Sequence, residues 1–141
     1  MTTPDDRVTW LNEFFGPRAP GLLGVVFDTC TRDEVTGHID VSGALIAGTG
    51  FLFAPAIIGL ADTLVAAGTG EHLDHTANES FTTIELKCNF LGSAREGERV
   101  VGRAVPAHIG RSTQVWDVVV TNEATGRTIA LFRNTQMILR P

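Results

Sequence analysis

Apolar residues recur along this chain with two periods, and the change from one to the other marks out its elements. In "TPDDRVTWLNEFFGP", Val8, Leu11, Phe14 and Phe15 stand at helical spacing. Thr3 is a candidate N-cap, Pro4 takes the first helical position, Asp5 and Asp6 fall in the first turn, and Gly16-Pro17 ends the run. "GLLGVVFDTC" and "EVTGHIDVSG" read as two strands joined by the polar turn "TRDE". A glycine-rich loop then leads into a helix from about Ala54 to Ala67, apolar all round, with Asp62 as its only acidic group. After the polar connection "GTGEHLDHTANES" the period becomes two and stays so, through "FTTIELKCNFL", "RVVGRAVPAHIG", "STQVWDVVVTN" and "RTIALFRNTQMIL". Ile84, Leu86, Cys88 and Phe90 alternate with Glu85, Lys87 and Asn89, the pattern of a sheet with one buried face. The short joints "GSAREGE", "GR" and "EATG" predict that these four strands form an antiparallel meander.

A helix that is apolar on every side must be covered on most of them. One curved antiparallel sheet of about six strands wrapped around a single central helix does this with few residues, so the expected class is α+β, the hotdog fold. At 141 residues the chain suits one domain, residues 1–141, with an N-terminal helix at 1–16 and a core at about 20–139. The stretch from Val41 to Ala61 carries no charge, but Gly43, Gly48, Gly50 and Pro55 punctuate it, which argues against a membrane span. A net charge of −5 argues against a nucleic-acid partner. "MTTPDDRVTW" lacks the basic region and apolar core of a secretory signal, and Cys30 and Cys88 read as two free thiols, so the cytoplasm is the expected compartment. His72, Asp74 and His75 have metal-ligand chemistry but lie in a polar loop without further ligands, so neither a metal nor a cofactor is expected.

Candidate chemistry centres on Asp62. A carboxylate in an apolar helix costs several kcal/mol unless it is satisfied or used. It can serve as a structural acceptor, for a hydroxyl such as that of Thr83 in the following strand. It can also work together with the helix N-terminus, whose free N–H groups suit a developing oxyanion. Asp62 lies eight residues beyond Ala54, roughly 12 Å along the axis at about 1.5 Å per residue. One carbonyl cannot touch both groups of one helix. A second, antiparallel copy would bring its own Asp62 beside the first chain's Ala54, which points to a site shared across a dimer interface.

Two segments carry a more specific likeness. "LADTLVAAG" after the glycine-rich loop, and "ELKCNFLGSAREGERVVGRAVPAHIGRSTQVWDVVVTNEATGRTIA", resemble the acyl-CoA thioesterase branch of the hotdog superfamily, the PaaI-like group, over roughly residues 20–139. The resemblance implies hydrolysis of acyl- or aroyl-CoA thioesters by a homodimer or a homotetramer. It implies Asp62 as nucleophile or general base and the Ala54 N–H as oxyanion donor. It also implies Thr83, with Ser80 and Thr82 as rivals, as the hydroxyl that orients the nucleophile or its water. Phe53-Ala54-Pro55 stands where the family often has His-Gly-Gly, and Phe53 and Pro55 are the expected substrate contacts beside Ala54. Some relatives use an asparagine upstream of the helix, and "ALIAG" offers none. The nucleotide end of CoA is expected at Arg111, Ser112 and Thr113, with Arg95, Arg99 and Arg103 adding charge on one side of the meander. Phe51, Leu52 and Phe53 with the first helix are expected to line the acyl group. The competing readings are a non-catalytic acyl-CoA-binding protein on the same scaffold and an interaction scaffold that binds no thioester.

Overall fold

Helix α1 (Pro4–Phe15) starts where its caps place it: Thr3 Oγ1 accepts from the Asp6 N–H, and the Asp6 carboxylate accepts from the Thr3 N–H. The computed structural model describes residues 3–141, so residues 1 and 2 of the expected N-terminal segment lie outside the described residues. A short helix α2 (Ala19–Leu22) follows, where the apolar run predicts a strand beginning at Gly21. Pro20 suits a first helical turn, and Gly24, at φ +80°, redirects the chain into β1 (Val25–Cys30). β2 (Val35–Asp40) pairs back on β1. The central helix α3 (Ala54–Gly70) runs one turn past the expected Ala67. Gly68 packs there against Trp116, whose ring would stand 2.5 Å from an added Cβ, so this glycine admits a neighbour and does not stop the helix.

Strands β3 (Ser80–Phe90), β4 (Arg99–Ile109), β5 (Thr113–Asn122) and β6 (Arg127–Leu139) complete one antiparallel sheet in the order β1-β2-β4-β5-β6-β3. The hotdog class holds, but the four-strand meander does not. Only β4, β5 and β6 are consecutive neighbours, while β3 pairs with β6 at the far edge. "GSAREGE" is therefore a crossover and not a turn. It is held across the end of the sheet by Leu91 N–H to Ile129 O, Leu52 N–H to Ala94 O and Val41 N–H to Glu98 O.

The sheet wraps α3 closely. Leu60 and Leu64 are fully buried against Val35, Ile39, Val100, Ala104 and Trp116. A Cβ on Gly37 or Gly102 would meet Leu64 at 2.7 Å, so those two glycines set how near the helix lies. The two sheet edges differ. At β1, Asn12 of α1 donates to Phe27 O and accepts from the Phe27 N–H, occupying the edge as a neighbouring strand would. At β3 the edge is open, with a bulge at Ile84 between Thr83 and Glu85. The alternation expected to bury one face of β3 leaves Ile84, Leu86 and Phe90 at 52%, 43% and 44% exposed, on an edge strand whose only neighbour in the sheet among the described residues is β6.

Candidate active site

Asp62 lies at mid-helix on the open side of α3. Ala54, Ile58, Asp62, Ala66 and Gly70 recur every four residues and are all half-exposed, whereas Leu60, Ala61, Leu64 and Val65 face the sheet and are buried. Asp62 is thus not sealed in an apolar core. Its Oδ1 accepts from Asn134 Nδ2 at 2.9 Å and from the Thr83 hydroxyl at 3.3 Å. Thr83 Oγ1 in turn accepts from Gln136 Nε2 at 2.9 Å, and its hydroxyl proton is shared between Asp62 Oδ1 and Gln136 Oε1, the latter at 3.1 Å. No protein donor engages Oδ2 among the described residues. One carboxylate oxygen is held by side chains and the other has no such partner.

The expected link between Asp62 and Thr83 is present as geometry. The rivals Ser80 and Thr82 make no side-chain contact with the carboxylate. Asn134 and Gln136 are additions that the sequence pattern does not single out. They come from β6: Asn134 gives the Asp62 carboxylate an amide donor, and Gln136 reaches Thr83. Both are fully buried at inward positions of a stripe otherwise made of Ala130, Phe132 and Ile138. Two buried amides in an apolar stripe are the signal in the sequence that points to them. The Asn134 carbonyl oxygen is buried without a partner, so its amide is held chiefly through Asp62. Asn134→Ala is expected to leave the fold intact and to lower kcat about tenfold with little change in KM, the size of one hydrogen bond to a charged group. Steady-state kinetics on the purified variant check this.

At its other end, α3 begins with Phe53 as N-cap and Ala54 as the first helical residue. Phe53 N–H donates to Leu45 O and Pro55 has no N–H, while the Ala54 N–H has no acceptor among the described residues. Phe53 is 51% exposed beside it. This is a free donor at a positive helix end, suited to an oxyanion. It lies eight residues from Asp62, as the sequence spacing requires.

The remaining candidates separate. Arg99 is held by Asp40 and Arg103 by Glu34, so neither is a free cation. Arg99 keeps the Asp40 carboxyl below its usual range. Arg95 and Arg99 lie at one end of β4, and Arg111, Ser112 and Thr113 lie at the other, about 30 Å away along the strand. The expected cluster on one side of the meander is therefore split within a single chain. Of the expected acyl wall, Leu52 is buried in the core and Phe51 turns to Arg95. The apolar cleft lies elsewhere, between α1, α3 and the start of β3. Trp10, Phe14, Phe15, Ala66, Gly70 and Phe81 line it, and its volume is about 260 Å³. His72 and His75 donate ring N–H groups to the carbonyls of Arg32 and Gly70, and Asp74 caps the turn after α3. Burial, with Glu71 nearby, pushes the Cys30 thiol up to about 11, and burial raises Cys88 as well, so both remain thiols at neutral pH.

Residues 49–129 match the family described as the thioesterase superfamily. A 1,4-dihydroxy-2-naphthoyl-CoA hydrolase of Escherichia coli is 29% identical over 119 residues, covering 84% of this chain and 85% of the relative. The crystal structure of a mutant thioesterase from Pseudomonas aeruginosa superposes with a TM-score of 0.88 at 25% identity, covering 95% of this chain and 94% of that one. The PaaI protein of the E. coli phenylacetic acid degradation operon shares the fold, with a TM-score of 0.81 at 18% identity over 97% of this chain and 96% of that one. Among the described residues, no helix is long and apolar enough to cross a membrane.

Proposed function

Because this chain belongs to the thioesterase superfamily, we propose that it hydrolyses acyl- or aroyl-CoA thioesters at a site built by two copies of the chain, with Asp62 as general base or nucleophile. The observation that carries this reading is the half-held carboxylate. Asn134 and Thr83 fix one oxygen of Asp62, and the other is left free on the open face of α3. An oxygen without a protein donor keeps its lone pairs for attack or for taking a proton.

The partner Ala54 N–H is supplied by symmetry. The β1 edge is occupied by Asn12, whereas β3 presents an open edge with exposed Ile84, Leu86 and Phe90 beside the half-exposed stripe of α3. Antiparallel docking of two β3 edges about a two-fold axis covers these side chains and reverses one α3 against the other. Each Asp62 then faces the N-terminal end of the opposite helix. The thioester carbonyl accepts from the Ala54 N–H, and Asp62 of the partner subunit attacks the carbonyl carbon or activates a water to do so. The carbonyl π electrons move onto the oxygen, and their return expels CoA as its thiolate; in the water route the thiolate takes up the proton that water gave to Asp62, and in the nucleophile route a water then cleaves the acyl-aspartyl anhydride, freeing the acid and the carboxylate and giving its spare proton to the thiolate.

The acyl group is assigned to the aromatic cleft. Ala66 lies one turn beyond Asp62 on the same stripe and lines that cleft with Trp10, Phe14 and Phe81. A cavity of about 150 Å³ holds benzene, so this one has room for an aromatic or medium-length acyl group. The nucleotide end is assigned in part to Arg111, Ser112 and Thr113, which the two-fold pairing returns to the end of the opposite chain where α3 begins.

CoA release measured over a panel of acyl- and aroyl-CoA thioesters, with Asp62→Ala as control, tests the reading. The expected result is turnover with aromatic and medium-chain thioesters that disappears in the control. Binding of acyl-CoA without release would establish the non-catalytic reading, and no binding at all would establish a scaffold. Arg111→Ala is expected to raise KM for CoA thioesters more than it lowers kcat, and to matter far less for a pantetheine thioester without the nucleotide. Equal losses on both substrates would remove Arg111 from phosphate recognition.

A further inference from the structure

Gln136 is fully buried on β6, between the inward-facing Asn134 and Ile138. It stands opposite Thr83 in the β3–β6 ladder, beside the bulge at Ile84. Both ends of its amide reach the same atom. Gln136 Nε2 donates to Thr83 Oγ1 at 2.9 Å, and the Thr83 hydroxyl can donate to Gln136 Oε1 at 3.1 Å. Gln136 makes no other side-chain hydrogen bond among the described residues; Gln114, opposite it in the β5–β6 ladder, accepts from Trp116 Nε1 instead. Thr83 therefore has one proton and two acceptors, Gln136 Oε1 at 3.1 Å and Asp62 Oδ1 at 3.3 Å. A buried glutamine in an apolar stripe thus gives its whole amide to one hydroxyl, and that hydroxyl is bound to the candidate base.

We propose that Gln136 sets the proton affinity of Asp62 by competing with it for the Thr83 hydroxyl proton. While Asp62 is a carboxylate, its charge makes Oδ1 the stronger acceptor, and the proton lies toward it. Once Oδ2 takes a proton from water, Oδ1 becomes a neutral carbonyl oxygen, and the nearer Gln136 Oε1 wins the hydroxyl. No donor is left unpaired by that turn. Protonated Asp62 is stabilised, so Asp62 is a stronger base than Thr83 and Asn134 alone would leave it. The Gln136 Nε2 bond acts in the opposite sense, because it polarises the hydroxyl toward the carboxylate. That polarisation is about 10–30% of one bond, whereas Oε1 supplies a whole acceptor, so competition decides the sign. Gln136 is a positioning residue, acting through Thr83. The charged groups around α3 are engaged elsewhere. Asp62 is the only charged residue between Ala54 and Gly70, and Glu71 beyond them pairs with Arg7. Glu85, Lys87 and Arg133 alternate with the inward residues of β3 and β6 and lie on the outer face, where Arg133 pairs with Asp117 of β5. Arg99 and Arg103 of β4 pair with Asp40 and Glu34, and His38 of β2 pairs with Asp28 of β1. That Asp62 serves as the base rests on the proposed thioesterase reading; the shared proton does not.

Carbon-13 NMR titration of the aspartate carboxyl groups reads this directly, the Asp62 signal being the one that Asp62→Asn removes. Gln136→Met keeps the volume without the acceptor. It is expected to lower the Asp62 titration midpoint by about half a unit, roughly a threefold loss of proton affinity. Thr83→Val removes the shared proton, so adding Gln136→Met to it is expected to move the midpoint no further. Thr83→Ser keeps the hydroxyl and should keep the full response to Gln136→Met. The acid limb of the kcat–pH profile is expected to move to lower pH in the same variants that move the NMR midpoint, with KM unchanged. Thermal melting checks folding, and Gln136→Asn, which draws the amide back by one methylene, replaces Gln136→Met if that variant does not fold. An unchanged midpoint in the Gln136 variant, or an equal shift in the Thr83→Val background, would overturn the proposal and leave Gln136 a structural partner of Thr83. The expected shifts in a protein that hydrolyses no thioester would support the shared proton and sink the catalytic reading.

Discussion

Asp62→Asn is expected to fold as the wild type does and to turn over thioesters at least about a hundredfold more slowly. The contacts of Asp62 make this substitution unusually clean. The oxygen of an asparagine can stay where Oδ1 now accepts from Asn134 and Thr83, so both hydrogen bonds survive. Its NH₂ group then occupies the place of Oδ2, presenting hydrogens where attack or proton abstraction requires a lone pair. Shape, packing and the buried amide network are kept, and only the base is removed. Little change in KM is expected, since the carboxylate acts on the carbonyl during reaction and not on the distant nucleotide. Thermal melting and CoA release on the same preparation check both halves. Wild-type turnover from folded Asp62→Asn protein would make Asp62 a structural acceptor for Asn134.

Mixing two inactive variants is expected to restore activity if the site is shared. Asp62→Asn removes the base. Ala54→Leu places a bulky side chain where substrate must approach the helix N-terminus. Each homodimer should be nearly dead. In a mixed dimer one site joins an intact Asp62 to an intact Ala54, and the other site carries both defects. About half of the dimers in a random equal mixture are mixed, so roughly a quarter of wild-type activity should return if the sites act independently. The two chains are tagged differently, unfolded together and reassembled, and mixed dimers are isolated before assay. The structural basis is the spacing along α3, which holds Ala54 and Asp62 about 12 Å apart on one rigid helix. No recovery in confirmed mixed dimers would exclude the cross-subunit geometry while leaving the Asp62→Asn result to stand on its own.

Much of the candidate site is legible in the amino-acid sequence. Asp62 is conspicuous because one carboxylate interrupts an apolar helix, and Ala54 follows from where that helix must begin. Thr83 stands out only together with two rivals, since strand period alone does not say which hydroxyl meets the helix. The bulge at Ile84 shifts the register there, and long-range pairing to β6 creates that bulge. Asn134 escapes a sequence reading for a different reason. It is 72 residues from Asp62 and becomes its neighbour only when β6 packs against α3.

What the chain determined by itself is what short-range physics controls. The Thr3-Pro4 cap, the period of two from Phe81 onward and the all-round apolarity of α3 each depend on residues within a few positions of one another. Together they sufficed for the class of fold and for the carboxylate at its centre. Tertiary structure decided everything that needs two distant segments. It set β3 beside β6 instead of β4, left one sheet edge open while Asn12 occupied the other, and extended α3 past Ala67 because Trp116 fills the space that Gly68 leaves. It also sorted the arginines, pairing Arg99 and Arg103 with carboxylates of β2 and the turn before it while leaving Arg95 and Arg127 together in a cleft. Charge and periodicity are properties of a segment, whereas pairing, exposure and convergence are properties of contacts, and contacts exist only once the sheet has closed around its helix.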